Sequence, residues 1–381
     1  MSKTFWLYSH NLTNTGAPLV LAAIARELAA AGWRAHLRLL SWGGLHDRRH
    51  SQLQHALAAE GIAVDVLDAE QLPPKPEQGD RVLLNSLALP EAVLRQALDW
   101  RDQGLIDRLD WYAHEGDPWV WLPDPAWSER LRQALQRELL QLRVPSQQTR
   151  QIYAEWLDCS APALAVQWPR LLLPEPTASG CAPSDAVLRL QLTGMAGCGQ
   201  KGHLWLLRWI EAALAQQPQG TPGMRDVQLQ FIGLECGAYA AFSRELCRRA
   251  SALLGPRFSW QEHGSREEAL AAMAQADFAV SCSLSETFSL VAAEAMALAK
   301  PLLRNRTGGW HEQLQPDLTG FDLGEPGPEL QEQQVELLQR LRDPRRTSTV
   351  AIQAMGQRAK QQARTFEQVR YGSWLLKEMA P

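Results

Sequence analysis

Short apolar runs alternate with longer helical patterns along most of the chain, and this alternation constrains the fold more than any other feature. In the first half, the runs of strand length are Phe5 to Tyr8, Ala35 to Leu40, Ala63 to Leu67, Arg81 to Leu84, Leu109 to Ala113 and Leu142 to Pro145. The stretch from Pro18 to Ala31 has apolar residues at helical spacing, and Gly32 follows it as a stop signal. Strands separated by helices predict a parallel sheet covered by helices, which is an α/β fold.

A proline-rich stretch from Pro169 to Pro183 interrupts this alternation near the middle of the chain. Beyond it the pattern resumes, with the segments Val187 to Thr193, Leu204 to Leu214, Val227 to Ile232, Phe242 to Leu254 and Ala276 to Cys282. A chain of 381 residues is too long for one ordinary core. We therefore predict two α/β domains, residues 1–168 and 186–354, a linker over 169–185, and a terminal helix within 355–381, from about Met355 to Met379.

Composition excludes several classes of function. Lys and Arg number 38 against 42 Asp and Glu, and the net charge of −4 predicts no nucleic-acid partner. The six cysteines have no C-x-x-C spacing, so neither a zinc site nor a disulfide framework is indicated, and a reducing cytoplasm fits best. No apolar run reaches the length of a membrane span, and the start of the chain has no signal-peptide pattern.

Two carboxylates, Glu286 and Glu294, flank a predicted junction between a loop and a helix. Ala276 to Cys282 has the character of a buried strand, and Val291 to Leu298 is rich in helix formers, so Ser289 is a natural N-cap. The first amides of such a helix have no intrahelical partner and can bind an anion such as a phosphate. We expect this phosphate site over Thr287, Phe288, Ser289, Leu290 and Val291. The ordinary alternative is a pair of exposed surface acids.

With its flanks, this stretch resembles the Glu-x7-Glu signature of retaining GT-B glycosyltransferases, chiefly glycosyltransferase family 4. The matching residues are Glu286, Phe288, Leu290, Glu294, Ala295, Met296, Ala297, Lys300 and Pro301, and the downstream G-G-x-x-E element is present as Gly308, Gly309 and Glu312. Ser289 and Ala299 replace two customary glycines. The resemblance implies that Glu294 binds the ribose hydroxyls of a nucleotide and that Glu286 holds the donor sugar.

A glycine-dense turn after the strand that ends at Thr193 is a second candidate phosphate site. Gly194 allows close backbone approach to an anion, and Lys201 supplies a positive charge. The turn resembles the family's G-R-x(4)-K-G element, although Met195 stands at the arginine position and the spacing is one residue longer. A solvated lysine at a helix start is the ordinary alternative.

In the first half, the resemblance extends to three shorter elements. Gly16 lies in the segment that replaces the family's G-G-A loop, where it would contact the donor or serve as a plain turn glycine. Trp111 to Glu115 resembles a W-Y-I-H-E element whose histidine reaches the donor sugar, which makes His114 the second catalytic candidate. Asn85 and Ser86 match an N-S element of the same subgroup.

Three further features are open to two interpretations. His263 falls where the family contacts the nucleotide base, with Glu262 replacing a usual glycine. Trp119, Trp121 and Trp127 would either stack on acceptor sugars or pack within a loop. A predicted helix from Ala126 to Arg143 carries several arginines, which suits either an anionic membrane surface or an ordinary solvated face.

The resemblance implies a GT-B fold, with two Rossmann-like domains facing a central cleft and a C-terminal helix crossing back to the first domain. It implies retaining, metal-independent transfer from a nucleoside-diphosphate sugar to a hydroxyl of a saccharide, a lipid-linked glycan or a small molecule, with no cofactor. The expected location is the cytoplasm, and peripheral contact at the inner membrane surface is compatible with it. The alternatives are a GT-B phosphorylase, a nucleotide-sugar epimerase, or a non-catalytic nucleotide-sugar-binding protein.

Overall fold

The computed structural model describes residues 4–10, 12, 16–41, 48–68, 74–161, 164–173, 181–195, 199–233, 239–261, 266–327 and 329–376. It divides into two compact units, Met1–Arg170 with Gln368–Pro381, and Leu171–Glu367. None of the described helices combines the length and the hydrophobicity that crossing a bilayer requires.

The first unit is a parallel sheet with the strand order β3-β2-β1-β4-β5-β6-β7. Its strands are β1 (Thr4–Ser9), β2 (Arg34–Ser41), β3 (Ala63–Asp68), β4 (Asp80–Leu84), β5 (Ile106–Tyr112), β6 (Gln141–Val144) and β7 (Ala165–Val166). Its helices are α1 (Gly16–Ala30), α2 (Arg48–Ala59), α3 (Glu91–Asp102), α4 (Pro118–Trp121), α5 (Ala126–Gln136) and α6 (Gln147–Trp156). Each predicted strand of this half is confirmed, with ends that differ by a few residues.

The second unit is a parallel sheet with the order β10-β9-β8-β11-β12-β13. Its strands are β8 (Val187–Thr193), β9 (Asp226–Ile232), β10 (Phe258–Gln261), β11 (Phe278–Ser281), β12 (Leu302–Arg304) and β13 (Gly320–Asp322). Its helices are α7 (His203–Gln216), α8 (Ala240–Leu254), α9 (Arg266–Met273), α10 (Leu290–Ala297), α11 (Trp310–Gln313), α12 (Glu332–Arg342) and α13 (Thr349–Glu367). Leu188, Leu190 and Leu192 alternate along β8 into a core shared with Val227, Leu229 and Phe231 of β9.

The predicted helix from Ala126 to Arg143 is wrong in its C-terminal part. Helix α5 ends at Gln136, and Arg143 lies on strand β6. The reason is local, because Glu138 has a positive φ of 57°, a conformation that terminates a helix. The run of arginines is therefore not one continuous helical face.

The end of the chain also differs from the single helix predicted from about Met355 to Met379. Helix α13 belongs to the second unit, where Gly356 packs closely against the backbone of Ala299, and the chain then enters the first unit, where α14 (Gly372–Leu375) forms. The break has a clear cause. The carboxylate of Glu27 accepts the amides of Tyr371 and Gly372, so these donors do not continue a helical ladder.

The returning segment is bonded firmly into the first unit. Glu27 of α1 also pairs with Arg170 at 2.9 Å, and the Tyr371 hydroxyl accepts the Arg170 amide at 2.7 Å. Trp374 donates its indole N–H to Asp110 at 3.0 Å and accepts from Arg108 at 3.1 Å through its carbonyl. Both Tyr371 and Trp374 are buried.

Candidate functional site

The segment between β11 and α10 lies at the carboxyl end of a central strand of the second sheet. Ser289 is the N-cap of α10, and its hydroxyl accepts the amide of Ala292 at 3.2 Å. This confirms the helix start predicted from the sequence. The first turn of α10 therefore presents backbone amides without intrahelical acceptors, beside Glu286.

Hydrogen bonds to three neighbouring segments hold this loop in place. The Asn305 amide donates to the carbonyl of Ser283 at 2.7 Å, and the Gln313 amide donates to the carbonyl of Ser289 at 2.8 Å. The amide of Leu284 donates to the carbonyl of Gln200 at 2.7 Å. The loop that carries Glu286 is thus bonded along its length, which restricts where the carboxylate can lie.

The Gly308-Gly309 element packs directly against the same loop. A Cβ at Gly308 would come within 2.6 Å of the Glu286 carbonyl carbon and of the Thr287 Cα. A Cβ at Gly309, where φ is 68°, would lie 3.1 Å from the Phe288 ring. Glycine is therefore required at Gly308 by close approach rather than by its conformational freedom. Phe288 is itself buried and packs edge-on against Phe366, with ring centroids 5.2 Å apart.

Glu286 is a largely buried carboxylate with a bonded cation. Lys201 Nζ contacts Glu286 Oε1, and the Ser283 hydroxyl donates to the same oxygen at 3.1 Å. Burial on its own would raise the pKa of Glu286, but Lys201, together with Arg304 and Ser283, outweighs burial and lowers this pKa below its usual value. Glu286 is therefore ionised at neutral pH and accepts hydrogen bonds.

Arg304, at the end of β12, was missed by the sequence analysis. Its guanidinium is fully buried and donates to Ser281 Oγ at 3.2 Å and to the carbonyls of Thr307 and Gly308 at 3.0 and 2.5 Å. Burial lowers the pKa of Arg304 to about 10, with Glu286 and Glu312 acting in the opposite direction, so it stays charged at neutral pH. The available signal was an arginine directly after two leucines, at the sheet edge where site residues gather.

The turn that carries Lys201 starts directly after β8. A Cβ at Gly194 would lie 2.8 Å from Lys201 Cγ, so the lysine stem runs over the glycine backbone. Gly202 has a φ of 75°, and a Cβ there would overlap the carbonyl of Cys282. The Met195 side chain is 41% exposed. The structure thus brings Gly194, Lys201 and Glu286 together.

Glu294 lies inside α10 and is buried against a partner that sequence reasoning did not find. Arg266, the first residue of α9, donates to Glu294 Oε1 from Nε at 2.8 Å, and its Nη2 also donates to the carbonyl of Leu172 at 2.5 Å. Burial raises the pKa of Glu294, although Arg266 partly opposes this. Its predicted contact with ribose stays a prediction. His263, the predicted base contact, lies outside the described residues.

In the first unit, His114 follows β5 and lies beside Asn85, which follows the adjacent β4. His114 Nε2 is 3.1 Å from Asn85 Oδ1, and Asn85 donates its own amide to the carbonyl of Ala17 at 3.1 Å. Because the side-chain oxygen of Asn85 can only accept, the His114 ring carries its proton on Nε2. Its other ring nitrogen, Nδ1, is then able to accept a hydrogen bond. Burial, with a smaller contribution from His10, lowers the pKa of His114 to about 3.

Glu115, directly after His114, is a structural carboxylate that organises the two strand ends. It accepts the Ser86 hydroxyl and the amide of Leu87 at 2.8 Å, and its carbonyl accepts from the Tyr153 hydroxyl at 3.1 Å. It also accepts the amide of His114 at 3.1 Å. The matched N-S element thus supports the position of His114 through both its residues.

The remaining candidates of the first half occupy different environments. Gly16 is the first residue of α1, before the predicted start at Pro18, and an added Cβ there would meet nothing within 4 Å. Trp127 is buried in the core, while Trp119 and Trp121 of α4 are about half exposed, at 50% and 47%. Trp127 therefore packs in the core from helix α5, and neither interpretation offered by the sequence applies to it. Among the described residues no cluster of His, Cys, Asp and Glu has a metal-binding arrangement.

We expect the neutral state of His114 to make folding pH-dependent. Its pKa is about 3 in the folded chain and about 6.5 when unfolded, so between these values only the unfolded chain binds this proton. The free energy of unfolding therefore decreases as pH falls below about 6.5, by up to about 1.4 kcal/mol per pH unit. Urea unfolding at pH 7 and pH 5 should show a smaller loss for His114→Gln than for the wild type. His203, whose pKa burial also lowers to about 4, contributes equally to both proteins and cancels. Equal losses would contradict a neutral, buried His114.

Comparison with known proteins bears on the fold and on the second half of the chain. Residues 190–340 match the family model described as "Glycosyl transferases group 1". No curated protein matches the sequence. HepE from Anabaena, solved in complex with UDP, is 18% identical, with a TM-score of 0.67 over 96% of this chain and 97% of that chain.

Two further solved structures share the arrangement. A glycosyltransferase from Rickettsia africae is 14% identical, with a TM-score of 0.67 over 97% of this chain and 95% of that chain. Sucrose-phosphate synthase from Thermosynechococcus elongatus is 16% identical, with a TM-score of 0.61 over 97% and 96%. These likenesses confirm the predicted fold class. The chain therefore has the GT-B fold, and its residues 190–340 are similar to glycosyl transferases group 1.

Proposed function

We propose that this protein is a retaining glycosyltransferase of family 4 that moves a sugar from a nucleoside-diphosphate donor to an acceptor hydroxyl. The observation that carries the proposal is an ionised Glu286 held rigidly beside the start of α10, with Lys201 bonded to it. A carboxylate suits sugar hydroxyls, while the helix-start amides and the ammonium group suit a diphosphate. HepE was solved with UDP-glucose, so UDP-sugars come first among the donors to be tested.

In the proposed reaction, the acceptor hydroxyl attacks C1 on the face from which the nucleoside diphosphate leaves. The bond between C1 and the phosphate oxygen breaks, and the leaving phosphate takes the acceptor proton. The amides at Phe288, Ser289 and Leu290, with Lys201, neutralise the charge that builds on the diphosphate, and we propose no metal. Glu286 and His114 hold the sugar. Because the pKa of His114 is low, its imidazole is neutral near pH 7. It can therefore donate or accept hydrogen bonds to the sugar, but it does not act there as a charged group.

The acceptor is proposed to be a hydroxyl of a saccharide, a lipid-linked glycan or a small molecule. Gly16, Gly194 and Thr287 are proposed to border the donor, and His263 to contact its base. We propose a cytoplasmic location, with contact at a membrane surface where the acceptor is lipid-linked. The shortened α5 supplies less basic surface for such contact than the sequence suggested.

The function is tested with a panel of nucleotide sugars, scored by release of nucleoside diphosphate with and without candidate acceptors. Acceptor-dependent release, with the anomeric configuration of the donor kept in the product, supports a retaining transferase. Turnover that requires inorganic phosphate indicates a phosphorylase, and conversion of the donor sugar without an acceptor indicates an epimerase. Binding without any turnover indicates a non-catalytic protein, an outcome in keeping with Met195 at the customary arginine position.

We expect Glu294 to distinguish ribonucleotides from deoxyribonucleotides. A hydrogen bond from the ribose to this carboxylate should make UDP bind about tenfold more tightly than its 2′-deoxy analogue, as charged hydrogen bonds do. Glu294→Gln, measured by the shift in melting temperature across ligand concentrations, should reduce that ratio. The ratio is taken within one variant, so any general damage from the altered Arg266 contact affects both ligands alike. An unchanged ratio would remove Glu294 from the ribose site.

A further inference from the structure

Arg304 is unusual because its charge is buried without a bonded carboxylate. Its hydrogen bonds within the described chain go to one hydroxyl and two carbonyl oxygens, and its Nε is buried without an acceptor there. An uncompensated buried charge is costly, so charges nearby must stabilise it. The acidic groups whose charges raise the pKa of Arg304 against burial are Glu286, from the β11–α10 loop, and Glu312 of α11. Arg304 thus acts on Glu286 through its field and not through a hydrogen bond.

Lys201, the bonded partner of Glu286, is more exposed than Arg304. Lys201 carries its ammonium on a flexible stem, and its side chain is 27% exposed against 12% for Glu286. A diphosphate bound at the start of α10 would attract that ammonium strongly, because phosphate oxygens form short, charge-assisted hydrogen bonds. Lys201 would then leave Glu286, at least in part. A buried carboxylate that loses its only bonded cation tends to take up a proton.

Arg304 is positioned to prevent this. Its Nη2 donates to the carbonyls of Thr307 and Gly308. Gly308 in turn lies directly against the backbone of Glu286, so the guanidinium and the Glu286 loop are fixed relative to each other. The groups that face the Glu286 carboxyl are Lys201 from the loop after β8, Ser283 from its own segment and Arg304 from β12. Of the two cations, only Arg304 is immobilised.

We propose that Arg304 is a positioning residue whose fixed charge keeps Glu286 ionised and in place when Lys201 turns from it to a bound phosphate. The release of Lys201 rests on the proposed function, whereas the effect of Arg304 on Glu286 does not. The arrangement gives the site a mobile cation for the diphosphate and a stationary one for the sugar-holding carboxylate. It also supplies a buried charge at a site where Met195 replaces the customary arginine.

The first experiment needs no nucleotide. The carboxyl carbons of glutamate are followed by NMR across pH in Lys201→Met and in Lys201→Met/Arg304→Gln, with the Glu286 signal assigned by its loss in Glu286→Gln. We expect Glu286 to stay ionised at pH 7 in the single variant and to be protonated in the double variant. Glu286 that is ionised in both, or protonated already in Lys201→Met, would overturn the proposal.

The second experiment measures proton uptake when UDP binds, by calorimetry in two buffers of different ionisation enthalpy. We expect Arg304→Gln to take up about one proton more than the wild type when UDP binds, because Glu286 becomes protonated in the variant. Any protonation of UDP itself is the same for both proteins and cancels in the difference. Arg304→Lys keeps the charge without the fork and should restore wild-type uptake. Equal uptake in folded wild type and Arg304→Gln would overturn the proposal.

Two controls keep the outcomes separate. If wild-type protein gives no heat with any nucleoside diphosphate, the proposed function fails, while the titration of Glu286 still decides the role of Arg304. If Arg304→Gln does not fold, Arg304→Gln/Glu286→Gln should fold, because the double variant removes the buried carboxylate that Arg304 helps to balance. A double variant that is also unfolded would make Arg304 purely structural and overturn the proposal.

Discussion

Glu286→Gln should lower kcat for sugar transfer by about 100- to 1,000-fold, the loss that follows removal of one preorganised polar group from an active site. The amide keeps the size of the carboxylate but loses its charge and one of its accepting oxygens. It can therefore neither pair with Lys201 nor accept two sugar hydroxyls. KM for the donor should change less than kcat, because the diphosphate contacts remain.

The measurement is acceptor-dependent release of nucleoside diphosphate, with folding verified by circular dichroism and melting temperature. The matched control is Glu329→Gln, the same chemical change at an exposed acid of the second unit, which should leave kcat within error of wild type. Near-normal transfer by a folded Glu286→Gln protein would show that the reaction takes place elsewhere.

Gly202→Ala should destabilise the second unit by about 3 to 5 kcal/mol, the range of severe single substitutions. A Cβ at this position would lie within 2.9 Å of the carbonyl carbon and Sγ of Cys282, besides overlapping the carbonyl oxygen. Since these atoms belong to a buried strand end, the turn must move instead. Lys201, the adjacent residue, would then move away from Glu286, so nucleoside-diphosphate binding should weaken even in protein that remains folded.

Gly199→Ala is the matched control for this prediction. Gly199 has a φ of 72° against 75° for Gly202, but an added Cβ there meets nothing within 4 Å. It should therefore cost only the conformational penalty, about 1 to 2 kcal/mol. Urea unfolding of both variants separates steric overlap from backbone strain. Equal destabilisation would mean that the overlap with Cys282 is relieved without cost.

Local sequence patterns predicted much of the fold. Strand β8 was predicted with its observed ends, Val187 to Thr193, and the cap at Ser289 is confirmed, because apolar alternation and capping act over a few neighbouring residues. Ala299 shows the limit of such patterns. It replaces a glycine of the resembling family and nevertheless has a positive φ of 57°, because the end of α10 requires that conformation whichever residue occupies it.

What local patterns missed are contacts between distant segments. Arg266 meets Glu294, and Arg304 faces Glu286, only because parallel strands bring separate segments to one sheet edge. Nothing in the sequence near Glu294 indicates that its partner lies on another helix. The end of the chain was mispredicted for a similar reason, since the carboxylate that captures Tyr371 comes from Glu27, near the other end of the sequence.

The bonds between Arg170, Glu27 and Tyr371 have a practical consequence for dividing the protein. The chain leaves the first unit at Arg170 and re-enters beside the same residue, so the second unit is, in covalent terms, an insertion into the first. A fragment that stops at Arg170 would lack Trp374, whose indole N–H donates to Asp110 and whose carbonyl accepts from Arg108. Expression of the first unit alone therefore calls for a short linker from Arg170 to Gln368, whereas the second unit can be cut out as one continuous piece, Leu171–Glu367.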